Sequence, residues 1–559
     1  MDNYRELPFP LNVDSYIFAS HDLHYGLLEN ETDLPAAQQH AFELLRQCLP
    51  DSSGEVLAIT PLLSTLPHFL QKNYQVTTLQ YTSPIEQILS AAFESSETNE
   101  GFDAIIFHQT SQYVKNLTLF NKAHSLLKEN GTLLLLDEVG LKYTADDGVE
   151  HLPLLKYRVA QAERCGVKLV EQIDVSAKII PFLEQLLQRI QKGYQQVLDT
   201  FSLSQEKLQE YVDFLHTKLQ GYKQQKYGYV LLKFAKTATP RWLLKEVTEH
   251  DQAAMRQTFA DVFHHDMSPE MWQWKYGNNH GMATAAWQNN RIVAHYGGIT
   301  RELMYFGQPK TGVQIVDVMV AATDRGVLTR KGPYFLVGAT FPECYAGYGA
   351  KILLGFGFPT QRAIRTAEKL KVYEEVGKMN EVTWTTFKGK PQITNRIRHL
   401  HPLNDLKDRE IIDTLWVHMA KDFKQAIIGV RDWPYVHCRY LMHPHKQYEL
   451  LLISQRFTSK PLGIVVLQRG EEECKLLDII APQKHFAVLL KQTRRIVGSW
   501  NIPKLTLWIT ENFVPMFTKL AGDAQAIDVR IPHCIWYEGP PTEEVKDRWW
   551  LMGGDTDFM

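Results

Sequence analysis

Residues 314–347 read QIVDVMVAATDRGVLTRKGPYFLVGATFPECYAG, a β-rich run, then a loop of glycines and cations, then a helical stretch. A strand that ends in a loop at a helix N-terminus offers main-chain N–H groups with no partner and the positive end of the helix dipole. Arg325, Gly326, Thr329, Arg330, Lys331 and Gly332 bracket the loop. The pattern predicts an anion site of the phosphate kind, against the plainer reading of a solvated basic loop. In the strand before it, Asp317, Val318, Met319 and Val320 present backbone groups along which an extended ligand arm would pair as an extra strand.

Outward from this stretch the β signal persists. WQNN (287–290) is a polar turn between ATAAW and RIVAHYGG, and Tyr305–Gly307 begins another hairpin. Downstream, LLGF is a strand and TQRAIRTAEKLKV a helix. Together WQWKYGNN (272–279), AHYGGI (294–299), DVMV (317–320), DRGVLTRKGPYF (324–335), LLGFGFPTQRA (353–363) and KVYEEV (371–376) resemble the GNAT superfamily of N-acyltransferases. The branch they look like is that of bacterial acetyltransferases related to the enhanced-intracellular-survival type.

The resemblance implies acetyl-CoA as cosubstrate, with its pyrophosphate on the 325–332 loop and its pantetheine arm along Val318 and Val320. It also implies a base for the amine and an acid for the departing thiolate. Asp317 and Glu302 are the strand carboxylates for the base. The family's acid is a tyrosine on the helix after the fifth strand; here Ala367 takes that place and Tyr373 follows six residues later, so Tyr373 is the candidate acid. Asp317, between Val316 and Val318, is equally readable as one half of a structural ion pair. Trp272, Trp274 and Tyr276 are candidates for the acceptor pocket or for the core.

Beyond residue 400, a helix (408–423) precedes ELLLIS, PLGIVVLQR, CKLLDIIAP, a helix from Lys484, KLTLWIT and VRIPHCIWYE, which repeats the order of the middle segment. We read a second, non-catalytic GNAT-like domain, because PQKHF after its LLDIIAP strand offers neither arginine nor glycine. A plain α/β cap is the alternative. In the closing DRWWLMGGDTDFM, Trp549, Trp550 and Met552 are aromatic and apolar enough to dock on a neighbour, and Asp555 and Asp557 stand alone as carboxylates.

The first third alternates strand and helix: EVLAI (55–59), QVTTLQ (75–80), FDAIIFHQ (102–109) and GTLLLLDE (131–138), with a helix over 116–131 that Gly131 would cap. Such alternation predicts a doubly wound parallel sheet. HYGLLE (24–29), GFDAIIFHQTSQYV (101–114), LLKENGTLLLLDE (126–138) and CGVKLVEQIDVS (165–176) resemble class I S-adenosylmethionine-dependent methyltransferases. Where that family has a glycine-rich loop, this chain reads VLAITPLLSTL (56–66), and the second strand ends Leu79-Gln80-Tyr81-Thr82 without a carboxylate. S-adenosylmethionine thus stands as a possible second cofactor, with Thr60, Tyr81, Gln109 and Tyr113 at the strand ends where such sheets bind ligands. Residues 178–228 predict two long helices.

Composition narrows the function classes. Lys+Arg 60 against Asp+Glu 63 leave a net charge of -3, which gives no broad field for nucleic acid. The greasiest window, TLLLLDEVGL, is broken by Asp137 and Glu138, short of the roughly 18 apolar residues of a membrane span. Acidic residues and prolines occupy the N-terminus where a signal peptide carries cations, and the six cysteines form no CxxC pair. The expectation is a cytoplasmic α/β protein with no metal, no nucleic-acid partner and no membrane partner, its oligomeric state open. A Rossmann-like methyltransferase-type domain (1–237) precedes a tandem of two GNAT-like mixed α/β domains (241–400 and 401–559). The expected activity is acyl transfer from coenzyme A to an amine of a small molecule. The alternatives are a bifunctional methyltransferase/acyltransferase, or a non-catalytic scaffold whose cofactor sites have decayed.

Overall fold

The apolar runs of the first third form a six-stranded sheet: β1 (Glu55–Pro61), β2 (Gln75–Tyr81), β3 (Phe102–His108), β4 (Leu127–Gly140), β5 (Val167–Asp174) and β6 (Tyr227–Lys236), in the order β2-β1-β3-β4-β6-β5. β1 to β4 are parallel, and β6 is inserted antiparallel between β4 and β5. β4 is buried from Gly131 to Gly140, as a strand covered by helices on both faces must be. This is the doubly wound, Rossmann-like sheet, in a computed structural model that describes residues 13, 24–28, 33–50, 54–61, 64–81, 101–146, 152–327, 329–389, 394–400 and 406–559, without the side chains of 80, 81 and 279.

Two local expectations change. The helix from Asn116 ends at Leu126, and the left-handed residue is Asn130 rather than Gly131. Leu127 already pairs with Phe102, and the β ladder outcompetes the last helical turn. The stretch 178–228 forms three helices, Ser176–Lys192, Tyr194–Phe201 and Gln205–Lys223. Gly193 and the left-handed Ser202 break them, and Ser204 caps the third by accepting the Lys207 N–H.

The chain divides into two units, Met1–Tyr143 with Glu150–Lys245, and Thr144–Val149 with Glu246–Met559; β7 (Leu243–Glu246) lies at the junction. The second unit holds β8 (Gly281–Gln288), β9 (Arg291–Tyr305), β10 (Gln308–Val320), β11 (Ile352–Phe356), β12 (Tyr373–Thr385), β13 (Asn395–His399), β14 (Ile427–Gly429), β15 (Glu449–Gln455), β16 (Pro461–Arg469), β17 (Glu473–Ile480), β18 (Lys504–Thr510), β19 (Asp523–Cys534) and β20 (Trp549–Trp550). One sheet runs β11-β10-β9-β14-β20 with β8 against β9, the other β13-β15-β16-β17-β18-β12-β19. Asn289 and Asn290 both take positive φ in the β8–β9 hairpin, and Phe306 and Gly307 do so between β9 and β10. These are the left-handed pairs that two-residue hairpins require.

Residue 400 is not a boundary between bodies. β12 lies in the later sheet between β18 and β19, while β14 and β20 extend the earlier sheet from β9. The two halves exchange strands and form one unit. Trp549 and Trp550 are buried at 2% and 0% exposure, Trp550 among Phe423, Phe486 and Phe513.

Candidate active site

β10 and β11 pair in parallel from Thr311 to Gln314 and then part. Ile315–Val320 on one arm and Gly357–Pro359 on the other line a cavity of about 1070 Å³. The widening has a local cause. Opposite β9, the register of β10 slips between Val316 and Met319, so that Asp317 and Val318 both face the single residue Tyr296, which is a β-bulge.

At one end of the cavity stand Asp324, Arg325, Val327, Pro333 and Tyr334. The helix Pro333–Tyr345 begins here with Gly332 as N-cap and Pro333 at its first position, so no side chain satisfies its opening amides. A Cβ on Gly332 would lie 1.9 Å from the Val327 carbonyl oxygen; only glycine lets the loop close. Arg325 donates from Nε to the Val320 carbonyl at 2.9 Å, which anchors its guanidinium at the strand end. Of the expected cofactor-binding residues, Val318 and Val320 of the strand and Arg325 of the loop line the cavity, whereas Gly326, Thr329, Arg330, Lys331 and Gly332 do not. Arg330 instead lies over the rings of Trp536 and Phe335.

The other end is built from both halves. The helix Pro269–Tyr276 contributes Lys275, the 443–446 turn contributes His443, His445 and Lys446, and the 551–559 segment contributes Asp557 and Phe558. Lys275 Nζ donates to Asp317 Oδ1 at 2.8 Å and to Asp557 Oδ2 at 2.7 Å. Burial works against its charge, yet the two carboxylates outweigh it and hold the ammonium above its ordinary range. His443 Nδ1 accepts from the His445 and Lys446 amides. Burial, with Arg439 and Lys446 nearby, pulls His443 down to about 4. Lys446, drawn down to about 8 by burial and by Arg439, donates to the Phe558 carbonyl at 2.7 Å. His445 shares a hydrogen bond of 2.8 Å with Ser268 Oγ.

The three acid–base candidates part company. Asp317 lines the cavity, but Lys275 takes one of its oxygens and Tyr276 OH donates to the other at 2.7 Å. Glu302 is exposed on β9, accepts from Thr311 Oγ1 at 3.3 Å and does not line the cavity; a residue that far down β9 faces solvent. Tyr373 is on the cavity wall with its hydroxyl against that of Tyr296, and burial first of all pushes both well above the usual phenol range. Tyr276 grips Asp317, Trp272 packs in the core, and Trp274 donates to the Cys438 carbonyl at 2.9 Å. Sequence reasoning missed Lys275, Lys446 and the inward role of Asp557, whose only local signal was a charge in an aromatic context.

In the second half, β17 and β18 pair in parallel from Glu473 to Leu476 and then part in the same way. Here the gap is filled. Met552 bridges to Ile509, Thr510 N–H donates to the Leu551 carbonyl at 3.2 Å, and a Cβ on Gly554 would meet the Leu477 carbonyl oxygen at 2.9 Å. Asp555 there accepts from Arg431, which also binds Asp478.

In the first unit, Thr60, next to last in β1, and His108, last in β3, are fully buried, and their side-chain polar atoms have no partner among the described residues. The His108 ring packs 4.3 Å from His24 and 5.8 Å from Phe42. Gln109 follows at φ 52 and Tyr113 lies in a short turn; the Tyr81 side chain is outside the described residues. Glu138 on β4 is taken by Tyr222 OH at 2.8 Å and Lys218 at 3.3 Å. Among the described residues no three His, Cys, Asp or Glu side chains cluster as metal ligands, and no helix is long and apolar enough to cross a membrane.

Residues 244–358 match the model of the acetyltransferase (GNAT) domain family. A comparison with curated proteins finds no match. Among solved structures, the chain is similar to a probable N-acyltransferase of Enterococcus faecalis V583 at 12% identity and TM-score 0.41, covering 52% of this chain and 72% of that one. It is similar to a GCN5-related N-acetyltransferase from Kribbella flavida at 14% identity and TM-score 0.38, covering 53% and 71%. A cyclopropane synthase of Mycobacterium tuberculosis shares 16% identity at TM-score 0.33, over 40% and 94%.

Proposed function

We propose that the second unit transfers an acyl group, acetyl in the simplest case, from coenzyme A to an amine of a small molecule. The observation that carries this reading is the unpaired edge Ile315–Val320, which parts from β11 beside a glycine-capped helix N-terminus and Arg325. Main-chain groups of Val318 and Val320 would pair with the pantetheine amides. Arg325 and the opening amides of the helix at Pro333 would hold the pyrophosphate. The acceptor then enters from the Lys446 and His445 side, against the strand edge where the thioester lies. Attack by the amine nitrogen on the thioester carbonyl carbon forms the new amide and breaks the C–S bond; Tyr373 is the proton donor to the departing thiolate in this reading, and the proton given up by the amine nitrogen returns to the tyrosinate, so that coenzyme A leaves as the thiol. Its support is the place of its hydroxyl on the cavity wall, beside that of Tyr296.

Calorimetry with acetyl-CoA tests the assignment. One molecule should bind per chain, since the matching gap in the second half is filled by residues 551–555, and Arg325→Ala should weaken binding by about ten-fold. Absence of heat from the wild-type protein would sink the reading. For the first unit we infer a Rossmann-like scaffold and derive no step through S-adenosylmethionine. Pro61 has no amide to offer where a cofactor loop should begin, Glu138 is already held by Tyr222 and Lys218, and the strand ends are packed with the His24, Phe42 and His108 rings.

A further inference from the structure

We propose that Asp317 is a positioning residue: its carboxylate holds its own backbone in the left-handed conformation that makes the β10 bulge and so opens the acyl-CoA cavity. The inference rests on the acyl-transfer reading for its consequence, and on the coordinates of one residue for its content.

Asp317 has φ of 50 within a strand, a conformation uncommon for a residue other than glycine, though aspartate is among the side chains that enter it. Three groups retain it. Tyr276 OH and Lys275 Nζ each take one carboxylate oxygen, at 2.7 and 2.8 Å. His295 Nδ1 lies 2.8 Å from the Asp317 carbonyl oxygen, which can only accept, so the ring proton is on Nδ1. Lys275 is itself fixed from behind by Asp557, and the side chains of Asp317 and Lys275 are 5% and 6% exposed. Each carboxylate oxygen thus accepts a hydrogen bond from a group that holds it in place. What it controls is the strand. With Asp317 left-handed, β10 carries an extra residue opposite Tyr296, and the edge from Ile315 to Val320 turns to the cavity. If Asp317 relaxed to an extended conformation, the remaining residues would move by one register step, and Val318 and Met319 would exchange faces.

The variants Asp317→Asn, Asp317→Gly and Asp317→Ala separate positioning from proton transfer. Asparagine can accept from Lys275 through its amide oxygen and donate its NH2 to the Tyr276 hydroxyl oxygen, reversing that bond, and it tolerates the left-handed region; glycine has no carboxylate but adopts positive φ without strain; alanine has neither property. Lys275 keeps Asp557 in all three. Three measurements are made on each: amide hydrogen exchange of the 315–320 segment, acetyl-CoA binding by calorimetry, and release of coenzyme A from acetyl-CoA with the best amine from a panel of primary amines. D317A should exchange faster over 315–320 and lose turnover by about a hundred-fold, as a small displacement of the reacting groups does. D317N and D317G should recover turnover to within about five-fold of the wild type and restore slow exchange, changing kcat more than KM. Turnover in D317N and D317G as low as in D317A would make the carboxylate a proton acceptor and overturn the proposal; so would exchange over 315–320 that is the same in all four proteins. If the wild type binds no acetyl-CoA, the acyl-transfer reading falls by itself, and the exchange measurement still decides whether Asp317 holds the bulge.

Discussion

Single residues set the two ends of the cavity. At the loop end, Gly332→Ala would press a methyl group against the Val327 carbonyl, and we expect the acetyl-CoA dissociation constant, measured by calorimetry, to rise by about ten-fold or more because the amides it orders would be re-aimed. The sequence singled out Gly332 for its place in the loop, but the close approach that makes glycine obligatory involves Val327, five residues back and visible only once the loop is closed. At the other end, His443 is held near 4, below the ordinary value of about 6.5. The unfolded chain therefore binds its proton first, and stability gained by the neutral ring above about pH 6.5 is lost as pH falls toward 4. The melting temperature should decline through that window, and His443→Asn, which keeps an acceptor for the two amides, should shallow the decline. An unchanged slope would place the titration on the other buried histidines.

At the scale of elements, the helix Pro269–Tyr276 shows how local signals serve the site. Ser268 Oγ accepts from the Met271 N–H and also meets His445, while Lys275 and Tyr276 at the far end grip Asp317. Ser268→Ala should cost about 1 kcal/mol in a denaturation experiment, the usual loss for an N-cap, and should lower turnover through the helix that carries the clamp. The hairpin at Asn289–Asn290 was legible because two-residue turns demand residues that tolerate positive φ. The bulge in β10 was not. DVMV reads as an uninterrupted strand, and the slip arises from side chains of another helix closing on Asp317. The same limit explains the helix at 116–126: its periodicity continues past Leu126, but pairing of Leu127 with Phe102 ends it.

The whole second unit behaves as one body because its halves trade strands, β12 going one way and β14 and β20 the other. Calorimetric melting of the protein should therefore show residues 246–559 unfolding in a single transition, and a fragment ending at residue 400 should fail to fold, since β12 would lack β18 and β19. Arg431, at zero exposure, binds Asp478 and Asp555, and Asp555 ties the halves by also accepting from Arg301 at 3.1 Å. Arg431→Met would leave the buried Asp478 without its cation and Asp555 with Arg301 alone, a loss of about 3–5 kcal/mol by denaturation, large enough to be read as a lowered midpoint for the entire unit. Alternation of apolar runs, turn residues and a loop of glycines and cations determined by themselves the α/β class, the order of strands along the chain and the place of the loop between β10 and the helix at Pro333, because those depend on neighbours within a few positions. Which strands pair across the halves, why one splayed gap stays open while the other is filled by residues 551–555, and that Asp317 meets Tyr276 and shares Lys275 with Asp557, were decided by the tertiary structure. These contacts join residues up to 282 positions apart in the case of Lys275 and Asp557, and no local pattern encodes the distance across which a buried charge finds its partner.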